Sequence, residues 1–270
     1  MMETKRTFIL GLGHQKCGTS WLHKYLCQSD SFAESFTKEH HVWDRKDISL
    51  FKGKKIKLNN LTFLCNESYQ RYHMENSNNY YFSYFDKLMS KNKIVTADIT
   101  PSYSGLKSDR LEYIKKEFLA RGIETKVVIL VREPLSRIKS AVRFNLDRGN
   151  YSEGVSVNET DFETALNQYY KSKNCSIRTN YENIISEAKS VFSMESIYLG
   201  FYESMFEVAE IRRLSKFLQI DAKEEFASVI INKTRNAVSL TQSDLKVKAY
   251  YAGTYEYFYK NYPIAKDLWR

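Results

Sequence analysis

The stretch Thr7 to Leu22 (TFILGLGHQKCGTSWL) constrains the fold more than any other part of this chain. Thr7 to Leu12 is an apolar run interrupted only by glycine, and it predicts a buried strand. Thr19 to Gln28 follows with Trp21, Leu22, Tyr25 and Leu26 at helical spacing. Between them, Gly13-His14-Gln15-Lys16-Cys17-Gly18-Thr19-Ser20 comes close to the phosphate-loop pattern GxxxxGK[ST]. In that context the loop amides and the free N–H groups of the helix start converge on one spot and favour an anion there. Thr19 stands where the usual lysine should follow the second glycine, and Lys16 sits inside the loop instead. That exchange, with no clear acidic metal partner, argues against an ordinary Mg²⁺-nucleotide hydrolase.

The rest of the chain alternates strands and helices. Lys126 to Val131 is apolar after its first residue, as a strand buried on both faces should be. Lys93 to Asp98 and Ser196 to Phe201 are further strands. Helices are expected over Tyr80 to Ser90, Leu106 to Arg121 (stopped by Gly122), Glu133 to Asp147, near 161–171 and 179–191, and over Met205 to Leu218. The tyrosine-rich tail from Asp244 to Leu268 reads as helix up to Pro263, and residues 45–78 as an irregular polar insertion with a short helix. The alternation predicts an α/β fold with a central parallel sheet flanked by helices. The chain's 270 residues show no linker tract and no internal repeat, so one domain over 1–270 is expected.

Charge narrows the partners. The net charge is +9, but the basic residues are scattered, and the densest group (Lys52, Lys54, Lys55, Lys57) is a short cluster. A small anionic ligand fits this pattern better than nucleic acid, which is not expected as a partner. Phe8 to Leu12 and Val127 to Val131 are far too short to cross a bilayer, so no membrane partner is expected either. Cys17, Cys27, Cys65 and Cys175 show no CxxC spacing, which suits free thiols in a reducing, cytoplasmic setting. The sequence leaves the oligomeric state open.

A second turn, rich in basic and hydroxyl side chains, follows the strongest strand. Lys126 to Val131 runs into Arg132-Glu133-Pro134-Leu135-Ser136-Arg137-Ile138-Lys139-Ser140. An arginine fork followed by a hydroxyl on the next helix can grip a phosphate through charge-assisted bonds. Gly13 to Leu22 (GHQKCGTSWL) resembles the 5′-phosphosulfate loop of sulfotransferases that use 3′-phosphoadenosine 5′-phosphosulfate (PAPS). The resemblance implies that Lys16, Gly18, Thr19 and Ser20, with Cys17 and Trp21 in the same loop, hold the 5′ side of the donor. It implies that Arg132 and Ser140 hold the 3′-phosphate, with Arg137 as a further arginine between them. Tyr198 to Ser204 (YLGFYES) resembles the family's strand ending in Tyr-Glu, and Lys233 and Arg235 (INKTRNA) fall where a basic loop covers the 3′-phosphate. The fold so implied is the P-loop-like sulfotransferase fold, with PAPS as donor, 3′-phosphoadenosine 5′-phosphate (PAP) as product and no metal.

Thr37 to Asp44 (TKEHHVWD) resembles a segment of the carbohydrate, heparan-sulfate-type branch and its bacterial relatives; Lys38, Glu39, His41 and Asp44 match and Val42 departs. This implies Glu39 as general base, with His41 as a second catalytic candidate or a structural histidine. Ala97 to Tyr103 (ADITPSY) resembles the branch's Thr-Pro-x-Tyr segment, with Ile99 where a lysine is common. Adjacent His40 and His41 would point apart on a strand, and no companion His/Cys set is evident, so a metal site is not expected. The expected acceptor is a hydroxyl or amine compound, a glycan or a small hydroxyl compound. Carbohydrate members usually carry a Golgi membrane anchor; without one in this sequence, a cytoplasmic enzyme of bacterial or viral origin is expected. The competing readings are a P-loop nucleotide kinase-like phosphotransferase and a nucleotide-binding protein that keeps the cradle without a base.

Overall fold

Four short strands form one parallel sheet: β1 (Arg6–Gly11), β2 (Val95–Ile99), β3 (Ile123–Val131) and β4 (Ile197–Phe201). Their order is β2-β1-β3-β4. The computed structural model describes residues 5–52, 66–149, 153–156, 158–229 and 240–269. All four expected strands are present, with ends shifted by up to three residues. The register pairs Gly11 with Ile99 on one side and Val128 on the other, and Val131 with Phe201. The strands' carboxyl ends therefore open on one edge, where ligands of parallel sheets bind.

Successive side chains of a strand point to opposite faces, so each strand feeds two cores. Phe8, Leu10, Val127 and Ile129 pack on one face; Ile9, Val95, Ala97, Val128 and Leu130 pack on the other. The second face is covered by α1 (Thr19–Leu26) and, later in the chain, by the helix Val208–Leu218. The first is covered by helices that follow in order: α2 (Trp43–Asp47), α3 (Asn66–Asn76), α4 (Asn78–Leu88), α5 (Ser108–Leu119) and α6 (Pro134–Asp147). Then come α7 (Phe162–Tyr169), α8 (Lys173–Ile177), α9 (Tyr181–Val191), α10 (Val208–Leu218), α11 (Gln242–Tyr250), α12 (Ala252–Asn261) and α13 (Ala265–Leu268). Burying one large apolar side chain contributes about 1.5–3 kcal/mol, and Phe8, Tyr81, Phe82, Phe85 and Phe118 are all fully buried in one aromatic cluster.

Two expectations are corrected, and one helix is new. Over 45–78, in place of an irregular insertion with a short helix, the described residues hold the end of α2, a 3₁₀ turn at Ser49–Phe51 and the eleven-residue α3; residues 53–65 lie outside the described set. Helix α8 was not legible, because five residues are too few to show a period. The tail is three helices, α11 to α13, since Tyr251 and Tyr262-Pro263 break the run.

The tail braces the site-bearing turn. Glu133 caps α6, accepting from the amides of Leu135 and Ser136, and also accepts from the Tyr255 hydroxyl. Lys139 donates to both oxygens of Asp244 at 2.9 Å, with the lysine side chain 11% and the aspartate 0% exposed. Asp244→Ala strands that ammonium and also breaks the capping box with Thr241. It should cost about 3–5 kcal/mol of unfolding free energy in urea denaturation. Lys139→Met with Asp244→Leu should recover most of the loss.

Candidate functional site

β1 delivers the chain into a loop that holds itself open by backbone bonds. The Leu12 and His14 amides donate to the carbonyls of Val128 and Leu130, both at 3.0 Å. Gly13 and Gly18 adopt φ of 110° and 93°, which side chains disfavour. A Cβ on Gly18 would also sit 2.4 Å from the Met205 sulfur. α1 then starts at Thr19 without a side-chain cap and without an acid in its first turn, so its amide end is left for an anion.

A cavity of about 530 Å³ lies at the carboxyl edge of the sheet. Lys16, Gly18, Thr19, Ser20 and Trp21 line it from the first loop, and Arg132, Ser140 and Tyr202 from the strand ends and helix beyond. Lys38, Glu39, His41 and Ser102 form another part of its wall. Two loops far apart in sequence thus share one space. Arg132 is nearly buried, donates to the Lys16 carbonyl oxygen at 3.3 Å and stacks 4.2 Å from the Tyr202 ring centre. The Tyr181 hydroxyl donates to the Arg132 carbonyl at 2.9 Å, fixing the turn from below.

Some matched residues do other work. Cys17 does not line the cavity; its buried thiol lies 4.0 Å from the Tyr181 hydroxyl, and burial pushes it up to about 12. Trp21 is 1% exposed and stacks on Tyr25 at 5.2 Å, so most of its ring is core. Arg137 is wholly buried, donates to the Cys175 sulfur at 3.1 Å, and does not line the cavity. Although it falls between Arg132 and Ser140 in sequence, it lies on the inner face of α6. Ile99 is likewise core, at 1% exposure. Lys233 and Arg235 lie outside the described residues.

The Lys38–Asp44 segment is not a strand. His41 has φ of 55°, and the chain turns there into α2. His40 is buried, its Nε2 2.7 Å from the Ser35 hydroxyl and its Nδ1 3.3 Å from Asp98. His41 faces the cavity between two carboxylates, its Nδ1 2.7 Å from Asp44 Oδ2 and its Nε2 3.3 Å from Glu39 Oε2. Burial alone would lower His41, but hydrogen bonds to Asp44 and Glu39 outweigh it and raise it to about 9. It is therefore an imidazolium at neutral pH and donates from both nitrogens. For Glu39, burial pushes the carboxyl up, while bonds from His41 and the charge of Lys38 prevail and hold it below the usual carboxylate value. Lys38 Nζ lies 2.5 Å from Glu39 Oε1.

Gln15, Phe144, Arg148, Glu153 and Arg178 also line the cavity, and none was expected. Phe144 and Arg148 fall one and two turns past Ser140 on the α6 face and its end, a periodicity that could have found them. Lys16 and Arg148 flank the Phe144 ring at 4.3 and 4.4 Å. Glu153 and Arg178 pair at 2.8 Å from separate segments and carry no local signal. A separate group that includes neither His40 nor His41 brings together His23 of α1, Cys27 just past its end, and Glu34. Their contacts use different imidazole nitrogens, Nδ1 toward Cys27 at 3.8 Å and Nε2 toward Glu34 at 4.0 Å, and they do not line the cavity.

Fold and cavity define an α/β protein with a glycine loop, free helix amides, basic side chains and a carboxylate lining one cavity at the carboxyl edge of a parallel sheet. The chain belongs to the sulfotransferase domain family, which matches residues 5–249. Its fold is similar to that of a sulfotransferase from Alicyclobacillus acidocaldarius, with a TM-score of 0.59 and 18% identity over 94% of this chain and 95% of that one. The sulfotransferase domain of the Synechococcus PCC 7002 olefin synthase matches at a TM-score of 0.47 and 14% identity, over 92% of this chain and 94% of that one. The sulfotransferase domain from the curacin biosynthetic pathway matches at 0.47 and 15%, over 93% of this chain and 99% of that one. No curated protein sequence matches. The family match is to the domain as a whole and does not single out the heparan-sulfate-type branch. Among the described residues no helix is long and apolar enough to cross a membrane.

Proposed function

We propose that this sulfotransferase moves the sulfuryl group of PAPS to an acceptor hydroxyl, with Glu39 as the base. The observation that carries the reading is one cavity lined by Lys16, Gly18, Thr19 and Ser20, by Arg132 and Ser140, and by Glu39. The donor set suits PAPS: a loop with helix amides, hydroxyls and a lysine for the 5′ end, and an arginine with a hydroxyl for the 3′-phosphate. In the transfer, the acceptor oxygen bonds to sulfur as the bond from sulfur to the 5′-phosphate oxygen breaks. PAP departs with that electron pair, and the acceptor's proton passes to Glu39. The acceptor is a hydroxyl compound, a glycan or a small alcohol, to be resolved by a screen with labelled PAPS. A kinase-like reading would want a lysine at Thr19, and there the chain has a hydroxyl. Cys17, Cys27 and Cys175 are free thiols, which supports a cytoplasmic setting.

The 3′-phosphate is the part of the donor that tells PAP from AMP. Calorimetry should find PAP binding about ten- to hundredfold tighter than AMP, as charge-assisted bonds of about 1.5–3 kcal/mol require. Arg132→Ala should remove most of that preference. Equal affinity of the wild type for both nucleotides would refute the 3′ assignment.

A further inference from the structure

Lys38 stands between two parts of the site that have different tasks. Its ammonium is 2.5 Å from Glu39 Oε1, 3.3 Å from Thr19 Oγ1 and 3.4 Å from Ser20 Oγ. Thr19 and Ser20 open α1, where the anion cradle is. One cation thus touches the carboxylate and the cradle at once. Its side chain is 19% exposed, at the cavity wall and not sealed in the core.

We propose that Lys38 couples donor occupancy to catalysis: it restrains Glu39 in the empty enzyme and moves to the donor's anionic group when the donor binds, freeing Glu39 for the acceptor's proton. The inference rests on the reading of Thr19 and Ser20 as donor contacts and of Glu39 as the base. An anion bound at the two hydroxyls competes with Glu39 for the ammonium, and the helix amides add to its pull. A carboxylate gripped by both Lys38 and an imidazolium is a weak base; with Lys38 withdrawn, only His41 holds it. The transfer would then follow donor binding, so that the base is unmasked only when there is a sulfuryl group to move.

The other charged groups near Glu39 do not substitute for Lys38. Asp44 of α2 sits behind His41 and keeps it protonated. Arg71 of α3 donates to the Glu39 backbone carbonyl at 3.2 Å rather than to its carboxylate. Asp98 of β2 lies behind His40. Lys16, Arg132, Arg148 and Arg178 line the cavity without a hydrogen bond or ion pair to the Glu39 carboxylate.

The readout is proton uptake on PAP binding, measured by calorimetry at about pH 5, near the ordinary carboxylate range, in buffers of different ionisation enthalpy. If Lys38 leaves Glu39, the carboxyl becomes more basic, so wild type takes up protons as PAP binds. Lys38→Met and Glu39→Gln should both lose that component, and Lys38→Arg should keep it. Lys38→Met should also bind PAP about tenfold more weakly. At saturating PAPS, the acid limb of kcat should coincide in wild type and Lys38→Met. Equal proton uptake in wild type, Lys38→Met and Glu39→Gln overturns the coupling, as does a wild-type acid limb at lower pH than that of Lys38→Met. If wild type does not bind PAP at all, the donor assignment itself falls.

Discussion

Glu39→Gln should lower kcat about 10²–10⁴-fold while leaving PAP affinity nearly unchanged. The amide keeps the shape of the side chain and cannot take the acceptor's proton. The alternatives are poor bases for structural reasons. His41 is held as an imidazolium by Asp44 and Glu39, raised to about 9, so near neutral pH it has no lone pair to offer. His40 is sealed in the core against Ser35 and Asp98. The pH profile follows from the same geometry. In the donor-free enzyme His41 and Lys38 hold Glu39 below the usual carboxylate value, and with the donor bound His41 still pairs with it, so activity is lost as pH falls through the carboxylate range. His41 behaves oppositely. Its value is raised from 6.5 to about 9, so the stabilisation from its two ion pairs is full below about 6.5 and is lost as pH rises through about 9. Unfolding free energy, read by urea denaturation, should therefore decline as pH rises from about 6.5 to about 9. If Glu39→Gln turns over like wild type and His41→Ala does not, the base is the histidine.

Lys16→Ala should lower kcat by about 10²–10³-fold, a larger factor than its loss of donor affinity. Sulfuryl transfer builds negative charge on the oxygen that leaves with the 5′-phosphate, and a fixed cation favours the transition state over the ground state. The site leaves Lys16 poorly compensated. Burial lowers it first, and the charges of Arg132 and Arg148 lower it further. Such a cation gains most from the charge that develops as the bond breaks. Lys16 also has φ of 68°, so Lys16→Met is a useful second variant that keeps the stem over Phe144 while removing the charge. Single-turnover rates and PAP titrations on both variants separate the two effects. A rise in KM for PAPS with kcat intact would make Lys16 a binding residue alone.

Much of the site was legible because each half is local. A strand, a glycine turn and a helix start are contiguous, and the amides that cradle an anion come from neighbouring residues, so Gly13 to Ser20 encodes its own geometry. The same holds for Arg132 and Ser140, joined by the strand end and the first turns of α6. β3 declared itself by an apolar run, since both of its faces are covered. Residue-level roles were less legible. Cys17 sits in the middle of the loop motif yet points into the core, and Arg137 sits between two site residues on the buried side of its helix. Spacing alone does not say which way a side chain turns when the neighbouring layer is unknown.

The alternation of strands and helices, the glycine loop, the Arg132–Ser140 turn and the carboxylate beside a histidine can be read from the chain, because they depend on periodicity and on groups adjacent in it. The strand order, and with it the meeting of the two turns in one cavity, comes from packing between distant segments. It decided the protonation of His41, which depends on the distances to Asp44 and Glu39, and the bond from Lys38 to a helix that begins nineteen residues earlier. It also brought Glu153 and Arg178 to the same wall and folded the tail back so that Tyr255 braces Glu133. These contacts join segments far apart in the chain, and their energies come from burial and charge pairing that exist only once the layers have packed.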